Sequence, residues 1–340
     1  MNKTIIIAEA GVNHNGDINM AKRLIDVAVD ASVDYVKFQT FKAERLVSPS
    51  AQKAKYQINN DTNNDDSQLN MLKKLELSDD DHKELISYCN SKKIRFFSTA
   101  FDEEGISYLS SLNFDMFKIP SGELTNFPYL RAIAKTRLPV ILSTGMANLD
   151  EIEKSINVLI SYGTKKSEIT VLHCNTEYPT PMIDVNLKAM LTIKDKLGVS
   201  IGYSDHTLGI EVPIAAVALG AKVIEKHFTL DRNLKGPDHK ASLEPNELKE
   251  MVNSIRNIEK AISGNGIKEA STSEKKNIQI ARKSIHMNRA LSSGSIINEE
   301  DIISLRPGDG ICSMNWEKII GKKVKTDVQK HTKLTWGNIS

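Results

Sequence analysis

Eight short segments rich in Val, Ile and Phe recur between residues 4 and 228, and amphipathic stretches separate them. They are TIIIAEAG (4–11), VDYVKFQT (33–40), IRFFSTAF (94–101), DMFKIPSG (115–122), PVILSTGM (139–146), ITVLHCNT (169–176), VSIGYSDH (199–206) and AKVIEKHF (221–228). MAKRLIDVAVDA, DDHKELISYCNSKK, LDEIEKSINVLISYG and VPIAAVALG, which lie between them, carry helical spacing. Strictly alternating strands and helices force a parallel sheet. Eight such units match a closed (β/α)₈ TIM barrel better than an open doubly wound sheet.

At 340 residues with 40% apolar content, the chain has material for such a barrel and a smaller second unit. We assign residues 1–265 to the barrel. Its second connection, residues 41–93, is too long for one helix and should insert over the mouth. Residues 266–280 are polar and Gly/Ser/Lys-rich, and read as a linker or solvated helix. Residues 281–340, with short strand-like pieces and turn signals, form a small, separate, mostly irregular or β domain.

The 45 basic and 43 acidic residues leave a net charge of +2, which gives no general field for nucleic acid or an acidic membrane. Cys89, Cys174 and Cys312 have neither a disulfide nor a zinc-finger spacing. The N-terminus shows neither a signal peptide nor a membrane span, so the chain reads as cytoplasmic.

Side chains two apart share a strand face, so inward-pointing residues recur with period two. That parity groups Glu9 on the first strand, Lys37 and Gln39 on the second, Thr99 on the third and Lys118 on the fourth. Ser204 and His206 share a face of the seventh, as do Glu225 and His227 of the eighth. All fall at strand C-termini, where barrel enzymes place their chemistry. Neighbouring strands lie about 4.8 Å apart, so His206 and His227 can share one divalent ion; hydrogen-bonded core histidines are the competing account. Manganese, magnesium, iron and zinc are not separated by this pair. Lys37 and Lys118, with the hydroxyls of Thr99, Ser121 and Ser204, suit a phosphate and a carboxylate on one small molecule. A Schiff-base lysine, as in pyruvate aldolases, is the alternative. Asn13 and His14 either line the mouth or serve a local turn. Tyr178 is displayed by a Pro-stiffened loop, and Asp238 and His239 are rim candidates. Cys174 and His173 read as structural.

With those residues in place, the sequence resembles the N-acetylneuraminate (sialic acid) synthase family over essentially its whole length. The motifs that carry the resemblance are AEAGVNHNGD, VKFQTFKA, FSTAFD, FKIPSGE, ILSTGM, HCNTEYPTP, GYSDHT, IEKHFTLD and GPDHKAS. Residues 281–340, with ARKSI and RPGDGI, look like the family's C-terminal antifreeze-like (SAF) domain. The resemblance implies condensation of phosphoenolpyruvate with an open-chain N-acylated mannosamine-type sugar. It implies that His206 and His227 hold a divalent metal, usually Mn²⁺, and that Lys37, Thr99, Lys118, Ser121, Thr176 and Ser204 grip phosphoenolpyruvate. Glu123 would act in proton transfer, and Glu9, Gln39, Tyr178 and Asp238 would face the sugar. Arg306 would enter the barrel of a second subunit, giving a domain-swapped homodimer. Family members often carry Asn where RPGDGI has Asp309, a carboxylate able to pair with Arg306 or repel an anionic ligand.

Stretches such as GMANL, VNLKAM and GPDHKASLEP look closest to the branch that makes legionaminic acid from 2,4-diacetamido-2,4,6-trideoxymannose. Synthases using N-acetylmannosamine share nearly all the same motifs, and an acetamido group at C4 needs a roomier, less polar pocket. A non-catalytic carbohydrate-binding or ice-binding protein would need no such convergence of lysines, histidines and Glu123.

Overall fold

The computed structural model of the protein describes residues 3–60 and 67–340. Two compact units divide the chain, residues 1–263 and 264–340. In the first, eight strands form a parallel, nearly closed barrel: β1 (Ile5–Gly11), β2 (Tyr35–Thr40), β3 (Arg95–Ala100), β4 (Phe117–Ile119), β5 (Val140–Ser143), β6 (Ile169–Cys174), β7 (Ser200–Asp205) and β8 (Val223–His227). Their ladder order is β3-β2-β1-β8-β7-β6-β5-β4. The first and last strands pair in register, Ile5 with Val223 and Glu9 with His227. β3 and β4 lie side by side where the ladder is open. All eight sequence segments therefore became strands, trimmed at their ends.

Strand parity sorts the side chains as the sequence pattern implies. Outward residues such as Ile6, Val36, Leu142 and Ile224 pack with the surrounding helices in one large core. Inward, Ile7, Tyr35, Phe97, Ile141, Leu172 and Val223 fill the lower barrel with a separate apolar layer. Gly202 makes that layer possible, because a Cβ there would lie 2.3 Å from the Val223 carbonyl oxygen and 2.5 Å from Leu172 Cδ2. Below it, Arg256 on the helix Pro245–Ala261 donates to Asp34 Oδ2 at 2.7 Å and to the Thr4 carbonyl at 2.8 Å. Asp34 also accepts the Ile6 N–H at 2.9 Å, so this clasp ties the last barrel helix to the start of β1.

Helix ends follow local chemistry. Ser78 and Asp81 close a reciprocal capping box on Asp79–Lys92, as Asn148 and Glu151 do on Leu149–Tyr162. Among its described residues, the long second connection forms three short helices, Ala43–Leu46, Lys55–Asn60 and Gln68–Lys73, before the capped helix. Its Ala43, Met71, Leu72 and Leu75 bury with Val12 and Phe41 in an apolar cluster of their own. Among the described residues no helix is long and apolar enough to cross a membrane.

The second unit opens with the helix Thr272–Ala281, which buries none of its residues. β9 (Ser284–Met287) and β10 (Ile302–Leu305) then pair antiparallel. Further bridges and turns wrap a core of Ile285, Met287, Ile297, Ile319, Val324 and Leu334. Fully buried Asp301 accepts the Asn298 N–H at 2.8 Å and pairs with Arg289.

Candidate active site

Above the apolar layer the next inward residues are charged or polar. Lys37 Nζ lies 2.9 Å from Glu9 Oε2 and 3.6 Å from Glu225 Oε2, while Lys118 Nζ lies 3.4 Å from Glu225 Oε1. Lys37 donates to Thr99 Oγ1 at 3.0 Å, Ser204 Oγ to Glu225 Oε1 at 3.1 Å, and Gln39 Nε2 to Glu9 Oε1 at 3.3 Å. All four charged groups are at most 4% exposed. Two lysines and two carboxylates out of water demand close pairing, because the desolvation cost of each is several kcal/mol.

The four groups are not equivalent. Burial raises the Glu9 carboxyl far above the ordinary range despite Lys37. Glu225 is also buried, but Lys118 and Lys37 overcome that cost and hold it ionised. Burial likewise opposes charge on both lysines; Glu225 and Glu9 reverse this for Lys37, whose pKa is raised, whereas that of Lys118 is lowered. The raised Glu9 pKa favours its protonated form and so weakens the negative charge opposing the lysines, which suits an anion.

The two histidines meet at the rim of this floor, their ring centroids 5.4 Å apart. Burial depresses both, His206 to about 4 and His227 well below its usual value, so both rings are neutral and each keeps a lone pair. The His206 Nδ1–H donates to the Asn175 carbonyl, which turns its Nε2 lone pair outward. His227 Nδ1 is buried with no hydrogen-bond partner and lies 3.9 Å from Asp238 Oδ2. An orphaned ring nitrogen beside a second neutral imidazole fits a divalent ion with open positions. Among the described residues, no cluster of three or more His, Cys, Asp or Glu side chains completes a ligand set. Tyr178 stacks on His206 with centroids 4.0 Å apart. Burial pushes the Asp238 carboxyl up to about 7.

A cavity of about 560 Å³ joins these groups. It is lined by every residue to which the family resemblance assigned a role except Arg306, and additionally by Ser143, Cys174, Glu225 and the insertion. Ser121 and Glu123 come from the 3₁₀ turn after β4, where Asn126 Nδ2 donates to Glu123 Oε2 at 2.6 Å and burial raises the Glu123 pKa. Gly145 brings backbone close: its N–H donates to Ser121 Oγ at 2.9 Å, and a Cβ would lie 2.5 Å from Thr176 Cγ2.

The structure bears on three further sequence readings. Cys174, read as structural, is buried and lines the cavity with Sγ 3.2 Å from Ser121 Oγ. Asn13 and His14 serve the turn: Asn13 Nδ2 donates to the Phe228 carbonyl at 2.8 Å, and His14 Nδ1 accepts the Gly16 N–H at 3.0 Å. His239 is fully buried and bonds Thr229 Oγ1 at 2.7 Å, which leaves Asp238 as the rim residue of its pair. Glu225 had the right parity but no assigned role. On the second unit Arg306 is exposed and its Nε donates to the Ala281 carbonyl at 2.9 Å. Asp309 pairs with Lys333 Nζ at 2.7 Å, and so is spoken for by a partner other than Arg306.

The family model described as NeuB family matches residues 24–268, most of the chain. This chain belongs to the NeuB family. A SAF domain matches residues 282–340. The NeuB-family relatives include an N,N′-diacetyllegionaminic acid synthase of Campylobacter jejuni, 56% identical over 95% of this chain and 96% of its own length. Another enzyme of that name, from Legionella pneumophila, is 48% identical over 98% of this chain and 94% of its own. Among solved structures, an N-acetylneuraminic acid (sialic acid) synthetase of Leptospira borgpetersenii is 38% identical, with a TM-score of 0.71 over 82% of this chain and 90% of that one.

Proposed function

We propose that this enzyme condenses phosphoenolpyruvate with the open-chain aldehyde of 2,4-diacetamido-2,4,6-trideoxymannose, giving N,N′-diacetyllegionaminic acid and phosphate. The observation that carries it is 56% identity, over nearly the full chain, to a synthase of that product. N-acetylmannosamine as the sugar is the second reading, favoured by the likeness to the Leptospira synthetase.

In this reading Lys37 and Lys118 receive the phosphate and carboxylate of phosphoenolpyruvate, helped by the hydroxyls of Thr99, Ser121, Thr176 and Ser204. Glu9, Gln39, Tyr178 and Asp238 face the sugar. His206 and His227 would hold a divalent ion, with Mn²⁺ our choice; when bound it supplies Lewis acidity for the aldehyde oxygen. Phosphoenolpyruvate C3 attacks the aldehyde carbon, water adds at C2, and the tetrahedral intermediate expels phosphate as its C–O bond breaks. Glu123, half-buried at the cavity edge with a raised pKa, holds or moves the proton of this sequence. The ionic floor is buried, and fixed charges act most strongly where little water screens them. Arg306 serves the barrel of a partner subunit in a homodimer, and the enzyme works in the cytoplasm.

Phosphate release from phosphoenolpyruvate with Mn²⁺ tests the reading. The diacetamido sugar should give a kcat/KM at least about tenfold above N-acetylmannosamine, and EDTA should abolish release with both. A reversed preference would make the second reading correct; release that survives EDTA would remove the metal.

A further inference from the structure

The cavity has two unlike halves. Its floor and histidine rim are ionic or hydrogen-bonding, whereas the long β2–β3 connection presents Leu46, Val47, Met71 and Leu75 to it, with the amides of Gln57 and Gln68 among them. This wall is supported from behind, because Met71 and Leu75 are buried against Val12 and Phe41. Gln57 is held too: its Oε1 accepts the Ala54 N–H at 2.9 Å, which leaves its NH₂ as the donor it offers.

We infer that this wall is the specificity surface for the far end of the sugar, with the apolar residues taking a C6 methyl and the glutamine amides a C4 acetamido group. The inference rests on the proposed reaction and deepens it. With the phosphate at the lysines and the aldehyde at the histidines, the rest of the sugar chain must leave the floor toward the rim that this wall encloses. A sugar hydroxylated at C4 and C6 loses water from both hydroxyls there and finds few partners. A 4-acetamido-6-deoxy sugar places a methyl on Val47 or Met71 and an amide carbonyl within the reach of a Gln donor. Discrimination by such a wall is modest, because apolar pockets reject an added hydroxyl by only about 100-fold.

The test is kcat/KM for both sugars in wild type, Val47→Thr and Gln57→Leu. Val47→Thr exchanges one methyl for a hydroxyl at nearly constant volume on a half-buried residue, so the fold survives; a thermal midpoint and Kd for phosphoenolpyruvate near wild type verify this. The diacetamido-to-monoacetamido ratio should fall about tenfold in each variant. Ratios within about twofold of wild type in both variants, with wild type active, overturn this inference alone. A wild type that turns over neither sugar brings down the proposed reaction and this inference with it.

Discussion

Glu123 sits half-buried beside Asn126, with Asp102 adding a second negative charge to the burial that raises its pKa. A proton-transfer group so placed shows in the pH–rate profile. The limb that Glu123 sets should lie above the ordinary glutamate range, and in Glu123→Gln that limb should vanish while kcat falls about 10²–10⁴-fold. A variant that keeps the limb would assign it to another group. His227 makes a different kind of prediction. A structural histidine loses stability when removed, but this one has an unpartnered Nδ1 in a cavity wall. His227→Ala should therefore leave the thermal midpoint of the metal-free protein nearly unchanged while weakening Mn²⁺ binding by about 100-fold or more in calorimetry. Equal Mn²⁺ affinity in both proteins would exclude His227 as a ligand.

At the scale of elements, the Asp34–Arg256 clasp holds the last helix to the first strand. Asp34→Ala takes one of two carboxylates from Arg256, which keeps Glu259 and the Thr4 carbonyl, and leaves the Ile6 N–H without its acceptor, and should cost about 1–3 kcal/mol in chemical denaturation. Burial raises the Asp34 pKa, but the Lys3 and Ile6 hydrogen bonds and the Arg256 charge outweigh it, and the net shift is downward. A depressed folded pKa means the stabilisation is complete above the unfolded value of about 3.9 and fades as pH falls through the lower folded one. The gap between wild type and Asp34→Ala should therefore narrow in acid; a gap constant down to the acid transition would remove the charge from the account. Elements were also where the sequence was most legible. Period-two parity placed Glu9, Lys37, Thr99, Lys118 and Ser204 correctly, because strand geometry leaves no freedom about the face. The same parity carried Glu225 without a role, and Cys174, two residues after inward-facing Leu172, was left out of it, because parity does not distinguish a working residue from a filler. Nothing local marked Gln57 or Gln68, since the insertion has no repeating geometry and its wall exists only through packing on Val12 and Phe41.

For the whole molecule the open matter is where Arg306 works. In its own unit the side chain is exposed and held by one bond from Nε to the Ala281 carbonyl, in a loop whose Gly308 N–H donates to the Gln279 carbonyl at 2.6 Å. Asp309 is neutralised by Lys333. The loop thus presents a cation without an adjacent free anion, which suits reception of a neutral N-acyl carbonyl or an anion. If the enzyme is a homodimer in which Arg306 completes the partner's barrel, Arg306→Ala and His227→Ala damage a shared site from opposite subunits. Each variant alone should then be nearly inactive. In a hybrid dimer one site carries both lesions and the other carries neither, so mixing equal amounts under subunit exchange should restore about a quarter of wild-type phosphate release. If Arg306 instead serves the barrel of its own chain, every site in every hybrid carries one lesion. Mixing then restores nothing, and the exchanged-domain dimer falls while the barrel chemistry stands.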